Sequence, residues 1–372
     1  MLTRKDLLEL ANLRDENGHT VSFLFSLHSI PDKSRHTEAT LVRDLVREQQ
    51  QRFNLKTSPG LTKDLEAVLA QTEEVRLNPR NWRIFHACHR LGFSRQFDLP
   101  APKPIRQLQV GGRFLLAPMF WALNLCTPFC VLIFERGQAR IFVVQGLHIQ
   151  ESNGGLPKEK IAPRVQASHT GSEKHLERRT ELRIHEYFKE LAGKLRLFLA
   201  EQKLHHVVFG CREDQWGEAK PAFADFEKNG TSMGRFNLSG YEMPSAAVRE
   251  SAYPVFRLYQ RNTTAALLKK ITDDPAHGAT GVIAVMKHLN EGRVEKLLLG
   301  RPVDGTVSEC DNCGRVQPPS QRPCIFCGKT GLHDLAADEG LIRQAILADT
   351  EILTLEEDDL PGFTGVAALL RY

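Results

Sequence analysis

The feature that most constrains this chain is a pair of short cysteine motifs, Cys310-Asp-Asn-Cys313-Gly314 and, after ten residues, Cys324-Ile-Phe-Cys327-Gly328. Two thiolate pairs of this form supply four soft ligands at about 2.3 Å, the full shell of tetrahedral zinc. The glycine after each pair lets the backbone turn its amides towards the sulfurs. A closed shell leaves no open position for water, so the expected ion is a structural Zn2+ in a ribbon over residues 308–330. Disulfides and free thiols are the alternatives, and disulfides are disfavoured in a cytosolic chain. Cys88, Cys126, Cys130 and Cys211 lie in apolar settings and read as inert core thiols, and His86 and His89 form a weaker ligand-like cluster around Cys88.

The ribbon is inserted in a chain of 372 residues, long enough for two or three domains. Residues 1–104 read as a small α/β unit. A strand covers Val21–Leu27, helical patterns follow at Leu41, Val42, Leu45, Val46 and at Leu61, Leu65, Val68, Leu69, and a Pro-rich link spans Pro100–Pro104. A middle unit, 105–252, opens on a hairpin of Phe129–Phe134 and Ala139–Val144 about the turn Glu135-Arg-Gly-Gln138. It continues through a polar loop from Glu151 to about Glu173, an amphipathic helix carrying Ile184, Phe188, Leu191, Leu195 and Phe198, and a strand at His206–Phe209. The last unit, 253–372, alternates a helix through Ala265–Lys270, strands at Val282–Met286 and Val294–Leu299, a helix near Leu341–Leu347, and strands at Glu351–Leu355 and Val366–Leu370. The fold class expected is mixed α/β with three domains, the last an α/β sandwich with an inserted four-cysteine zinc ribbon.

Two segments bear on where the chain works. Phe114–Phe134 holds 21 residues without a charge, enough to cross a bilayer. Pro118 and Pro128 break it, and its end reads better as a buried strand, so no membrane span is expected. The first residues run into a charged helical pattern with no apolar signal core, from which a cytoplasmic location is expected. The net charge of +4 hides an acidic stretch, Asp334–Asp359, with nine acids against one Arg. The remaining body is basic enough to meet polyanions, although solvated faces would give the same count.

Catalytic motifs are scarce. Gly230-Thr-Ser-Met-Gly234 has the letters of a nucleophile elbow but lacks the strand before and the helix after that expose the serine. The sequence holds no Walker A, Gly-x-Gly-x-x-Gly or His-Glu-x-x-His pattern. What stands out is Lys158–Arg183, a long loop feeding a helix, with seven Lys/Arg against four Glu. Arg179 and Arg183, four apart, share a helical face and suit phosphates, although a solvated basic helix is the ordinary reading.

The hairpin, loop and basic-to-amphipathic helix beginning His169-Thr-Gly-Ser-Glu-Lys-His-Leu-Glu-Arg-Arg179 resemble the central domain of archaeal and eukaryotic class I peptide-chain release factors. Glu295-Lys-Leu-Leu-Leu299, the two cysteine pairs and the ending Leu369-Leu-Arg-Tyr372 resemble the C-terminal domain of archaeal release factors and of Pelota. The resemblance covers roughly residues 110–372. The N-terminal unit is similar to that of the bacterial, Balon-like branch, and it lacks the stop-codon-reading Asn-Ile-Lys-Ser. The family's hydrolytic device is a Gly-Gly-Gln loop tip, which is absent from this sequence; Thr170-Gly-Ser172 stands there, and the nearest glutamine is Gln166. The resemblance therefore implies no catalytic residue and a non-catalytic ribosomal A-site binding factor for hibernation, stress protection or stalled-ribosome recognition. Its alternative is a peptidyl-tRNA hydrolase using Gln166 or another loop residue in ribosome rescue or peptide release. The RNA-facing residues expected are Lys158, Lys160, Arg164, His169, Thr170, Gly171, Ser172, Lys174, Arg178, Arg179 and Arg183. The partners expected are ribosomal RNA and a translational GTPase at the C-terminal domain.

Overall fold

The structure is a computed structural model that describes residues 4–26, 35–53, 58–74, 81–100, 105–125, 127–146, 148–158, 171–355, 363 and 365–372. The chain divides into two compact units, residues 127–262 and the remainder.

The N-terminal part of the larger unit runs α1 (Arg4–Asn12), β1 (Thr20–Phe25), α2 (Arg35–Arg52), α3 (Pro59–Glu74), β2 (Asn81–Cys88), β3 (Phe93–Pro100), β4 (Arg106–Gly111) and α4 (Ala117–Leu125). Its strands form an antiparallel sheet in the order β3-β2-β1-β4. Every residue of β1 is buried because both faces of the sheet are covered. Val21, Phe23 and Phe25 meet Val42 and Val46 of α2 and Leu61, Leu65 and Val68 of α3. Leu24 on the opposite face joins a second core with α1, α4 and the C-terminal elements. Nothing in the periodicity of Trp82–Leu99 marked the β2–β3 hairpin; it forms on the αL turn at Gly92, φ +61°.

The smaller unit holds β5 (Phe129–Glu135), β6 (Gln138–Gln145), β7 (His148–Ser152), α5 (Gly171–Glu201), β8 (Val207–Cys211), α6 (Glu213–Lys228), β9 (Ser232–Asn237) and the first part of α7 (Ser245–Asp273). Its mixed sheet runs β7-β6-β5-β8-β9, with β5, β8 and β9 parallel. Strand alternation sends Cys130, Leu132 and Phe134 to α5 and α6, and Phe129, Val131 and Ile133 to Val248, Ala252 and Phe256 of α7. The expected helix stripe Ile184, Phe188, Leu191, Leu195 and Phe198 is buried throughout.

The larger unit resumes with the end of α7, then β10 (Gly278–Thr280), α8 (Val282–Asn290), β11 (Val294–Gly300), β12 (Thr306–Cys310), β13 (Val316–Gln317), β14 (Leu332–Ala336), α9 (Ala337–Leu347), β15 (Glu351–Leu355) and β16 (Val366–Leu370). The mixed sheet β10-β16-β11-β15 turns Leu297, Leu299, Ala368 and Leu370 towards α8 and α9, and Leu298, Ala367 and Leu369 towards Ile271 of α7. A separate sheet, β13-β12-β14, carries the cysteines. The mixed α/β class with its inserted four-cysteine segment is thus observed.

Several sequence expectations are corrected. Val282–Met286 is helix, not strand: Val285, Met286 and Leu289 are buried at helical spacing while Ile283 stays 56% exposed. Of the polar loop expected from Glu151 to about Glu173, Glu151 and Ser152 end β7 and Gly171–Glu173 open α5, while residues 159–170 lie outside the described residues. The boundary expected after 104 precedes β4, which is hydrogen-bonded along β1, and that expected after 252 falls inside α7. The Pro-rich link at 101–104 lies outside the described residues. Among the described residues no helix is long and apolar enough to cross a membrane; the 114–134 stretch divides between α4 and β5.

Candidate functional site: a four-cysteine metal centre and a cationic helix

The two cysteine motifs fold into the same turn twice. In each, the first cysteine's N–H reaches five residues ahead, Cys310 to Arg315 O at 3.0 Å and Cys324 to Lys329 O at 2.9 Å. The following glycine donates back to that cysteine's carbonyl, Gly314 to Cys310 at 2.9 Å and Gly328 to Cys324 at 2.8 Å. Both glycines sit at positive φ, +71° and +72°, which a side chain would strain. The two turns bring all four sulfurs within 4.8 Å of one another, with Cys310–Cys327 at 3.5 Å and Cys313–Cys324 at 3.7 Å. A regular tetrahedron with about 2.3 Å metal–sulfur bonds has sulfurs about 3.8 Å apart. A disulfide needs about 2.05 Å. The spacing fits an ion and no disulfide, and the four cysteines could hold a metal ion. Burial lifts the Cys310 thiol and the Cys313 thiol, the latter to about 12, while the N–H of Lys329 draws the Cys327 thiol down to about 6.

The ribbon is fastened to its unit by buried and half-buried polar groups. Gln344 donates to Gly314 O at 2.6 Å and Asn290 to Val316 O at 2.7 Å. Glu309, beside Cys310 and 1% exposed, makes ion pairs with Arg113 and, at 3.5 Å, with Arg343. Asp311 pairs with Arg14 at 2.9 Å. Arg343 reaches Glu339 at 2.6 Å and Phe114 O at 2.7 Å. Glu339 in turn accepts the N–H groups of Leu116 and Ala117, at 2.9 and 2.7 Å, and so caps the start of α4. Burial pushes the Glu339 carboxyl above its ordinary range, and Arg343 with the two N–H donors pulls it back. A Cβ on Gly340 would lie 2.5 Å from Val307, so α9 approaches β12 as closely as only glycine permits. This network joins both ends of the sequence to the four-cysteine ribbon.

Sequence reasoning missed it. The available signal was Glu339 and Arg343 at i,i+4 on a helix whose other inward residues, Leu341, Ile342, Ala345 and Ile346, are apolar. His86 is fully buried beside this network with its pKa lowered to about 3 by burial, and its Nε2 lies 2.9 Å from Met119 Sδ. Among the described residues the only metal-capable group is the cysteine set, and His86, Cys88 and His89 do not form one. Ser232 opens β9; a strand rather than an elbow's helix follows it.

Of the residues expected to face RNA, Arg178, Arg179 and Arg183 are exposed on α5, and Lys158 is exposed after β7. Gly171, Ser172 and Lys174 lie in the first turn of α5. Lys160, Arg164, His169, Thr170 and Gln166 lie outside the described residues.

Comparison with known proteins matches residues 115–257 to the family described as bacterial archaeo-eukaryotic release factor family 10. No curated protein matches the chain. Similar solved structures include the archaeal translation termination factor aRF1, 16% identical over 100% of this chain and 99% of that one, TM-score 0.26. Archaeoglobus fulgidus Pelota is 14% identical over 100% and 92%, TM-score 0.31. The C-terminal domain of the peptide chain release factor from Methanosarcina mazei is 21% identical over 35% and 97%, TM-score 0.24. Residues 115–257, which span α4 and nearly all of the smaller unit, are thus similar to a bacterial family of archaeo-eukaryotic release factors.

Proposed function

We propose that this protein is a translation factor that binds the ribosomal A site without hydrolysing peptidyl-tRNA, acting in hibernation, stress protection or recognition of stalled ribosomes. One observation carries the reading: the release-factor match spans residues 115–257, yet no Gly-Gly-Gln occurs anywhere in the sequence. The group that would position an attacking water is missing, and proximity is most of what such a loop contributes. What the domain keeps is a long helix presenting Arg178, Arg179 and Arg183 to solvent. The ion we assign to the four thiolates is zinc, in a closed structural shell. The partner expected at the C-terminal elements is a translational GTPase.

Co-sedimentation of the purified protein with ribosomes tests the reading, and its salt dependence tests the surface. Replacing Arg178, Arg179 and Arg183 together by Ala should flatten the slope of log affinity against log salt by up to about one unit per lost phosphate contact. An unchanged slope in a folded triple variant would show that α5 is only a solvated face. No peptide release from ribosome-bound peptidyl-tRNA is expected. Release at release-factor rates, lost in Gln166→Ala, would establish a hydrolase instead.

A further inference from the structure

The two cysteine turns are geometric copies, yet the residues between their cysteines differ in kind. In a closed shell the cysteines point inwards, so the two residues between them point out whatever they are. In the first turn these are Asp311 and Asn312, and the chain uses the first: Asp311 pairs with Arg14 and with His333 at 3.0 Å, while the Asn312 contact to Cys310 Sγ at 3.4 Å is made by its backbone N–H. In the second they are Ile325 and Phe326, 58% and 38% exposed. The turn itself tolerates polar residues here, as its twin shows. Nothing in the fold calls for an aliphatic and an aromatic side chain at this tip.

The tip is held in place with some care. Gln317, fully buried, accepts the Ile325 N–H at 3.0 Å through Oε1 and donates through Nε2 to Gln321 O. Arg315 lays its guanidinium over the Phe326 ring, 4.9 Å from the centroid. Lys329 stands two residues beyond Cys327 and is exposed. The nearby carboxylates are occupied, Asp311 as above and Asp334 by Arg322 at 2.9 Å.

We propose that the Ile325–Phe326 tip is an RNA contact, taking one unstacked nucleobase against Phe326 and Ile325 with Arg315 and Lys329 on the adjoining phosphates. Size decides the class of ligand. A stable protein interface covers about 800 Å² on each partner, far more than two side chains offer. An exposed ring with flanking cations is what single-stranded RNA uses, one base at a time. This contact presupposes binding to ribosomal RNA as proposed above, and it lies in the other compact unit from α5.

The test uses the whole 372-residue chain, metal-loaded, with a labelled oligouridine, read by fluorescence anisotropy at low salt, and with ribosomes, read by co-sedimentation. Phe326→Ala should weaken oligouridine binding about tenfold, the scale of one lost base stack. Phe326→Trp should keep it. Ile325→Asn with Phe326→Asn should weaken it further, with metal content and circular dichroism unchanged. Wild-type affinity in folded Phe326→Ala overturns the contact, as does a change confined to the monomer–dimer balance, which would make the occupant a second copy. If wild type fails to sediment with ribosomes, the A-site reading falls; oligouridine binding lost in Phe326→Ala would still support the tip.

Discussion

Stripping the metal, or replacing Cys310 by Ser, is expected to unfold the ribbon and to loosen the elements fastened to it, while the smaller unit stays intact. The ribbon, residues 306–336, contributes little apolar surface: Val307 and Val316 are its buried aliphatic residues, the remaining buried positions being Ser308, Glu309, Gln317, Cys310 and Cys324. Two valines bury roughly 3–6 kcal/mol of transfer free energy. A four-thiolate zinc shell contributes about 10–16 kcal/mol of folding free energy in isolated fingers. A bound zinc would therefore dominate, being comparable to the whole net stability of an ordinary domain. Because Glu309 and Asp311 flank Cys310 and pair with Arg113 and Arg14, the loss should spread to the N-terminal residues around α1 and to the start of α4. The measurement is hydrogen exchange with and without a strong chelator, beside metal analysis. One zinc per chain is expected, with faster exchange across residues 306–336 and 113–117 on removal. A metal-free chain with native protection across 306–336 would show that the thiols are not a metal centre.

What the sequence disclosed followed from local rules. The cysteine spacing announced the ribbon because four ligands and two tight turns are encoded within 18 residues, Cys310 to Cys327. The hairpin of β5 and β6 and the stripe of α5 were legible because alternation and helical spacing are short-range signals. Val282–Met286 misled because a short apolar run reads equally as strand or buried helix, and here packing against β16 and β10 chose the helix. The shared core was illegible for a different reason. Leu116 and Glu339 lie 223 positions apart, and no local pattern tells a carboxylate that its partner will be the N-terminus of a helix two hundred residues earlier. The expected three-domain division treated the ends as separate because only pairing across that distance, as between Phe114 O and Arg343, joins them. For the cationic surface, charge and spacing named the candidates, but exposure of Arg178, Arg179 and Arg183 could be read only from the packing of the opposite face of α5.

Arg343→Met is the substitution expected to cost most outside the metal shell, and its cost should depend on pH. Arg343 is 2% exposed and stands between Glu339 and Glu309, themselves 5% and 1% exposed. Methionine fills much of the volume but leaves two buried carboxylates without the arginine between them, Glu309 keeping Arg113 and, when protonated, His333 at 3.8 Å. Removing one partner of a buried pair costs about 3–5 kcal/mol, because the other charge stays desolvated. Glu339 already has its folded pKa raised above 4.5, chiefly by burial, and Arg343 is the first influence that holds it down. Without Arg343 that pKa must climb further. A carboxyl whose folded pKa exceeds its unfolded value contributes stability that is fully present below the unfolded value and is lost as pH rises through the folded one. The variant should thus approach wild type near pH 4.5 and diverge from it as pH rises to 8. His86 works in the opposite sense, since its pKa, lowered chiefly by burial and further by the Arg343 charge, makes acid destabilising; losing Arg343 eases that penalty and adds to the convergence at low pH. Denaturant unfolding of both proteins across that range, followed by tryptophan fluorescence, gives the difference directly: Trp82 and Trp121 lie in the shared core, whereas Trp216 reports on the smaller unit. Combining Arg343→Met with Glu339→Gln removes one of the stranded charges while keeping an oxygen for the N–H groups of Leu116 and Ala117. The double variant should then be more stable than Arg343→Met alone at pH 8, by an amount that vanishes as the pH falls. A pH-independent loss in Arg343→Met, unrelieved by Glu339→Gln, would mean that this arginine contributes packing alone and that the two ends of the chain are held together by apolar contact.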